Sequence, residues 1–253
     1  MSSWPSTQPI VVWAAPRAWS DQLFLWWTLD ALAREHVDLS RVYRAAPVTY
    51  HPLAATGGAP RPELARALAQ AQPIAPELVD ASRELWRSFV SPSPLPFDEL
   101  RRADPSSIPD LASIAEPHGW WFPRLIDGRL RLSEMDELLL YAFDGEWRGP
   151  SALLRGTRTD DITDRLINVY GDWIIVARLM EWVGRGVLEY QRRDGAGWGQ
   201  HAFRITDVGC RLRDECMQSV ADAPAIYTGG CRTHDPARPF VRVVESGGWR
   251  LAL

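Results

Sequence analysis

Residues 10–46 read as strand, helix, strand, and that order leaves the chain few ways to fold. Ile10–Ala15 is an apolar run between Pro9 and Pro16, the pattern of a buried strand. Ser20 is placed to cap the helix that follows, and Asp21 suits its positive end. Within DQLFLWWTLDALAREH, Leu23, Trp26, Trp27, Asp30 and His36 recur at helical intervals. The apolar face is wide, which predicts packing on a sheet. Arg41–Ala46 (RVYRAA) reads as a second strand. Parallel strands need a long crossover of this kind, so the order predicts a βαβ unit and an α/β layer.

Beyond it, Thr49–Pro62 reads as an irregular loop. Helical stretches follow near Pro62–Gln72 and Pro76–Val90, SPSPLP (Ser91–Pro96) reads as a break, and Phe97–Arg102 and Ile108–Ala115 as short helices. The composition changes after His118. Ser133, three residues before Asp136, makes a near capping box for a helix carrying Leu138, Leu139, Leu140 and Phe143. We therefore expect an α/β domain with a helical insert over 1–130 and a second domain over 131–253. The aromatic run Trp120, Trp121, Phe122, Pro123 is unlike a flexible linker and predicts a rigid junction.

In the second part, Gly149–Leu154 reads as a short helix and Gly171–Val183 as a stronger one, closed by Gly184 and Gly186. Val187–Arg192 alternates as a strand does. The turn DGAGWG leads to a second strand, His201–Ile205, and Thr206 is a natural N-cap for a helix from Asp207 onward (DVGCRLRDECMQSV). Helix, helix, hairpin, helix is the order of a mainly α winged helix-turn-helix domain. The stretch resembles winged-helix regulators of the MarR and PadR type, through Leu179, Gly186, Val187 and Leu188, then Phe203, Arg204, Ile205, Thr206, Gly209 and Leu212. That resemblance bears on fold more than on DNA binding.

Four stretches together resemble a bacterial family of the DUF1835 type, which joins an N-terminal α/β domain of unknown function to a C-terminal winged-helix-like domain. They are WSDQLFLWWTLDAL (Trp19–Leu32), FPRLIDGRLRLSEMDELLL (Phe122–Leu140), GDWIIVARLMEWVGRGVLE (Gly171–Glu189) and IYTGGCR (Ile226–Arg232). The resemblance implies a Gly-Asp-Ser-like turn after the first strand and an acidic residue after the second. Here the turns are Ala15-Pro16-Arg17 and Ala46-Pro47-Val48, with Ser20 and Asp21 displaced into the helix start. It carries no activity to transfer.

Charge narrows the function classes. The net charge is −4, and all 28 basic residues are Arg. Without Lys there is no P-loop lysine, no Schiff-base lysine and no Ser–Lys dyad. A non-specific nucleic-acid binder is usually basic, so DNA is a disfavoured partner. Three cysteines without a C-x-x-C spacing suit a reducing cytoplasm. No apolar stretch approaches a membrane span, so no membrane role is expected.

The candidate ligand residues are Arg17, Ser20, Asp21 and Gln22, between the first strand and its helix, with Tyr50 and His51 opening onto the same edge. Strand carboxyl ends and helix N-termini favour small anions, and a loop histidine can act as a base. The nucleic-acid candidates are Arg178, Arg185, Arg192 and Arg193. In the candidate recognition helix, Arg178 and Arg185 alternate with Asp172 and Glu181, so phosphate attraction is small. Cys231 and His234, with Cys210 and Cys216 upstream, lack the two tight pairs of a zinc site, so no metal and no cofactor are expected. Most of the tryptophans are expected to pack in cores. The leading expectation is a cytoplasmic binding protein, regulator or adaptor, working through its winged helix. The alternative is an enzyme with a small-molecule or nucleotide site at the carboxyl edge of the first strands.

Overall fold

β-Branched and aromatic residues between two prolines make β1 (Ile10–Trp13), and VYRA makes β2 (Val42–Ala45). The two run parallel, Ile10 opposite Val42 and Trp13 opposite Ala45, with α1 (Trp19–Arg34) as the crossover. This computed structural model describes residues 8–48, 55–103, 108, 110–150, 168–194, 197–215, 217–245 and 248–253. The chain divides into two compact units, residues 1–91 with 99–115 and residues 92–98 with 116–253. Residue 130, where the sequence suggested a boundary, lies in a strand of unit 2.

Unit 1 is an α/β layer. α1 begins two residues earlier than expected, with Ala18 at the N-cap and no side-chain bond there. Ser20 is therefore not the cap; it lies exposed in the first turn. α2 (Arg61–Ala69) stops short of Gln72 because Gln72–Pro73 form β3, antiparallel to β2 with Arg44 opposite Gln72. Pro73 is tolerated because β3 is an edge strand. α3 (Pro76–Phe89) starts on a proline, which has no N–H to lose in a first turn. Trp19 stands edge-on to Trp26 and to Phe89, centroids 5.9 and 5.6 Å apart, and this aromatic wedge holds α1 against α3. Buried Asp30 on α1 is neutralised by Arg34 at 2.9 Å, with Arg87 at 3.6 Å.

α4 (Leu95–Ala103) starts inside the stretch expected as a break; Pro96 sits in its first turn, where proline costs no hydrogen bond. Two one-turn helices follow, α5 (Leu111–Ile114) and α6 (Glu116–Gly119).

Unit 2 contains a four-stranded sheet that was not expected. β4 (Arg124–Ile126) and β5 (Arg129–Arg131) form a hairpin on Asp127-Gly128, whose φ values of 50° and 71° are those of a type I′ turn. The sheet runs β11–β10–β4–β5: β10 (Val241–Glu245) pairs parallel with β4, and β11 (Gly248–Ala252) closes antiparallel on β10. Phe122, Cys231, Phe240, Trp249 and Leu251 form a core cluster with Leu95. The part of the chain expected to be mainly α thus supplies two of the four strands of a mixed sheet, β10 and β11.

The helices lie between β5 and β10. α7 (Glu134–Tyr141) is capped by the Ser133 hydroxyl, which accepts the Asp136 N–H at 3.1 Å, one half of a capping box. α8 (Asn168–Gly184) ends before the Gly186 turn (φ 70°). β6 (Leu188–Arg192) and β7 (His201–Ile205) pair antiparallel, Leu188 opposite Ile205 and Arg192 opposite His201. α9 (Asp207–Asp214) is capped by Thr206, which accepts from the Gly209 N–H at 3.1 Å. It ends well before Val220. A small ladder, β8 (Tyr227–Thr228) with β9 (Cys231–Arg232), follows. Of the helix expected over Gly149–Leu154, residues 151–154 lie outside the described residues. Trp120 and Trp121 are both buried, and within unit 2 the Arg178 guanidinium lies 6.0 Å from the Trp121 ring centroid. No helix among the described residues is long and apolar enough to cross a membrane.

Candidate functional site

Two of the residues expected at the edge of β1, Asp21 and Gln22, come together as a clamp. Asp21 Oδ2 accepts from the Ala15 N–H at 2.9 Å, the Thr56 N–H at 2.8 Å and the Thr56 hydroxyl at 2.6 Å. Gln22, buried beside it, donates Nε2–H to the Ala15 carbonyl at 2.8 Å. Three donors on one carboxylate oxygen fix the turn after β1, and the residues that do so are occupied by the chain itself. Arg17 points away to an exposed pair with Asp110 at 3.1 Å, and Ser20 is exposed. Tyr50 and His51 lie outside the described residues.

The densest polar constellation is in unit 2, and it centres on a residue the sequence assigned elsewhere. Arg178 on α8 is fully buried. Its Nε donates to Asp136 Oδ1 and its Nη2 to Asp136 Oδ2, both at 2.7 Å, a bidentate pair. Nη1 donates to Glu181 at 2.8 Å and to the Pro224 carbonyl at 2.7 Å. Asp136 also accepts from Trp182 Nε1 at 3.0 Å and the Ser133 hydroxyl at 2.7 Å. Burial alone would raise the Asp136 carboxyl; the Arg178 charge and hydrogen bonds outweigh it and hold the group below the usual carboxylate range. Burial likewise opposes the Arg178 charge, and Asp136 more than restores it. The bridge pins the start of α7 to the middle of α8. Arg178, expected among the nucleic-acid candidates, is thus committed inside the unit.

His234 closes the constellation. It is buried at a left-handed backbone position (φ 55°), with Nδ1 2.8 Å from the Thr233 hydroxyl and Nε2 3.8 Å from Asp136 Oδ2. Burial pushes its pKa down to about 4, against the pull of Asp136. It is a neutral imidazole at neutral pH. Cys231, its partner in the weak metal spacing, packs in the core, and burial pushes its thiol up to about 12. Among the described residues no three metal-capable side chains gather.

The remaining nucleic-acid candidates are spread out. Arg185 donates to the Ala221 carbonyl after α8. Arg192 and Arg193, at the end of β6, are exposed; Arg193 reaches the Trp147 carbonyl at 3.2 Å. Arg185 lines an open groove of about 520 Å³ with Val187, Val208, Leu212, Arg211 and Glu215. Asp222 also lines it, so the rim sets two cations against two anions.

Sequence reasoning placed Asp136 in a near capping box and His234 in a weak metal spacing, and missed them as partners because no local signal links the two segments. It also passed over Arg44, the sole charge of β2. No family model, no curated protein and no solved structure matches the chain.

Proposed function

We propose that the chain is a binding protein, an adaptor, in which α7, α8, the β6–β7 hairpin and α9 make a winged-helix element that docks a protein partner. The observation that carries this reading is the fate of the recognition-helix charge. Arg178 is spent internally on Asp136, and the helix exposes Ile174, Met180 and Glu181 instead. The groove beside it has an apolar floor of Val187, Val208 and Leu212 and a rim of balanced charge. DNA needs a net positive face, whereas a protein segment with apolar side chains flanked by mixed charges needs this one. The order of elements supports the winged-helix assignment, and the four stretches that resemble the DUF1835 type support membership of that family. Free Cys210 and Cys231 fit a cytoplasmic setting.

Two measurements test it. Fluorescence anisotropy with mixed-sequence duplex DNA at low ionic strength is expected to give no salt-dependent binding. Binding that weakens with salt, with a slope reduced in Arg192→Ala/Arg193→Ala, would overturn the adaptor reading in favour of a regulator. A photo-crosslinker at Val208 in host cells is expected to give one discrete protein adduct, absent from a probe at exposed Tyr227 and lost on Arg211→Glu. The same adducts from both positions would also overturn it.

A further inference from the structure

Among the described residues of unit 2, the buried arginines have counter-ions: Arg178 has Asp136, and Arg242 has Glu134 at 2.7 Å and Glu116 at 3.1 Å. Arg44 in unit 1 does not. It sits one residue before the carboxyl end of β2, the central strand of the layer, with Val12 of β1 on one side and Gln72 of β3 on the other. Its Nε is shut off from solvent without a hydrogen-bond partner, and among the described residues its guanidinium makes no ion pair. Partial burial of the side chain lowers its proton affinity. A half-buried cation with no counter-ion in the chain is available to an external anion.

The guanidinium lines a cavity of about 380 Å³, within the range of small-molecule pockets, roughly 300–1,000 Å³. Ala46, Ala67, Ile74 and Leu78 form apolar walls, and Gln70 and Gln72 supply the other polar side chains. Ala75, the N-cap of the fourteen-residue α3, lines it too, and no side chain caps that helix. The positive end of α3 therefore adds to the field of Arg44. The position also agrees with the rule that α/β layers bind ligands at strand carboxyl ends.

We propose that this cavity binds a small organic monocarboxylate, its carboxylate paired with Arg44 and its hydrocarbon body against Ala46, Ala67, Ile74 and Leu78. One cation matches one negative charge, and a planar carboxylate matches the guanidinium fork. The apolar walls exclude a bare phosphate, which needs donors on every side. The site is distinct from Arg17, Ser20 and Asp21, and it is independent of the groove in unit 2.

The test is titration calorimetry and thermal shift on the full chain with butyrate, hexanoate, benzoate and inorganic phosphate. Saturable stabilisation by hexanoate or benzoate is expected, with no effect of phosphate at equal concentration. Arg44→Met is expected to lose about tenfold or more in affinity, the worth of a charged hydrogen-bonded pair. Ala46→Phe, an exposed rim position, narrows the cavity without touching the charge and is expected to weaken binding too, so the test survives if Arg44→Met fails to fold. No stabilisation by any carboxylate, phosphate binding as tight as benzoate, or binding undiminished in the variants would overturn the proposal.

Discussion

Acid should unfold this protein through His234. In the folded chain the imidazole is buried, and that burial holds its pKa at about 4, against an ordinary value of 6.5. The unfolded chain therefore binds a proton as pH falls through 6.5, while the folded chain refuses it until about 4. A base with a lowered pKa contributes stability that is complete above 6.5 and drains away on the descent to 4. Each pH unit in that window is worth about 1.4 kcal/mol, so the loss is about 2 kcal/mol at pH 5 and about 3 kcal/mol when complete. Asp136 does not confuse the window. Its carboxyl is held below 3.8, so the stability it contributes is present above that value and lost only in stronger acid. The variant to compare is His234→Asn, because asparagine tolerates the left-handed backbone (φ 55°) and does not titrate. Urea unfolding followed by tryptophan fluorescence, near pH 7 and near pH 5, gives both stabilities. Wild type is expected to lose about 2 kcal/mol more than His234→Asn over that interval. Equal losses in the two proteins would refute the reasoning, since the remaining histidines are common to both.

Two further outcomes follow from packing. Arg178→Met is expected to cost about 3–5 kcal/mol in chemical denaturation, because it strands the buried Asp136 carboxylate, and adding Asp136→Leu is expected to restore most of it; a single variant as stable as wild type would contradict the lock. Gly209→Ala is expected to lower the melting temperature, at a cost of about 1–3 kcal/mol, since the new Cβ would strike the Val187 carbonyl and lie 2.6 Å from Ile205 Cγ1; an unchanged melt would mean that α9 can shift away.

The elements most legible in the sequence were those whose signals are local. The βαβ start, the caps at Ser133 and Thr206, and the β6–β7 hairpin each depend on residues within a few positions of one another. The β4–β5 hairpin was equally local: Asp127-Gly128 between RLI and RLR is a turn signal that the following leucine-rich helix overshadowed. β10 and β11 were harder, because Arg242, Glu245 and Arg250 interrupt their apolar pattern, and β10 is fixed by a partner more than a hundred residues away. The same distance hid the central constellation. Asp136, Arg178 and His234 are charged or titratable residues on three separate segments, and a lone sequence prices each as surface. Ser20 failed for a different reason. Its capping role is a preference, and the turn was instead secured by Asp21 and Gln22 reaching back to Ala15.

The pairing at Arg124 also bears on how unit 2 assembles. Arg131 of β5 and Arg242 of β10 lie opposite that one residue, on its two sides. The intervening segment, with α7, α8, the hairpin and α9, therefore leaves and re-enters the sheet about two strand spacings apart, roughly 10 Å. In chain length, joining β10 to β4 closes a very long loop, which favours slow folding. Once the helices and hairpin have gathered, the two ends of that loop are already close together. In the native pairing, strands far apart in the chain thus lie as close as those joined by a short connection.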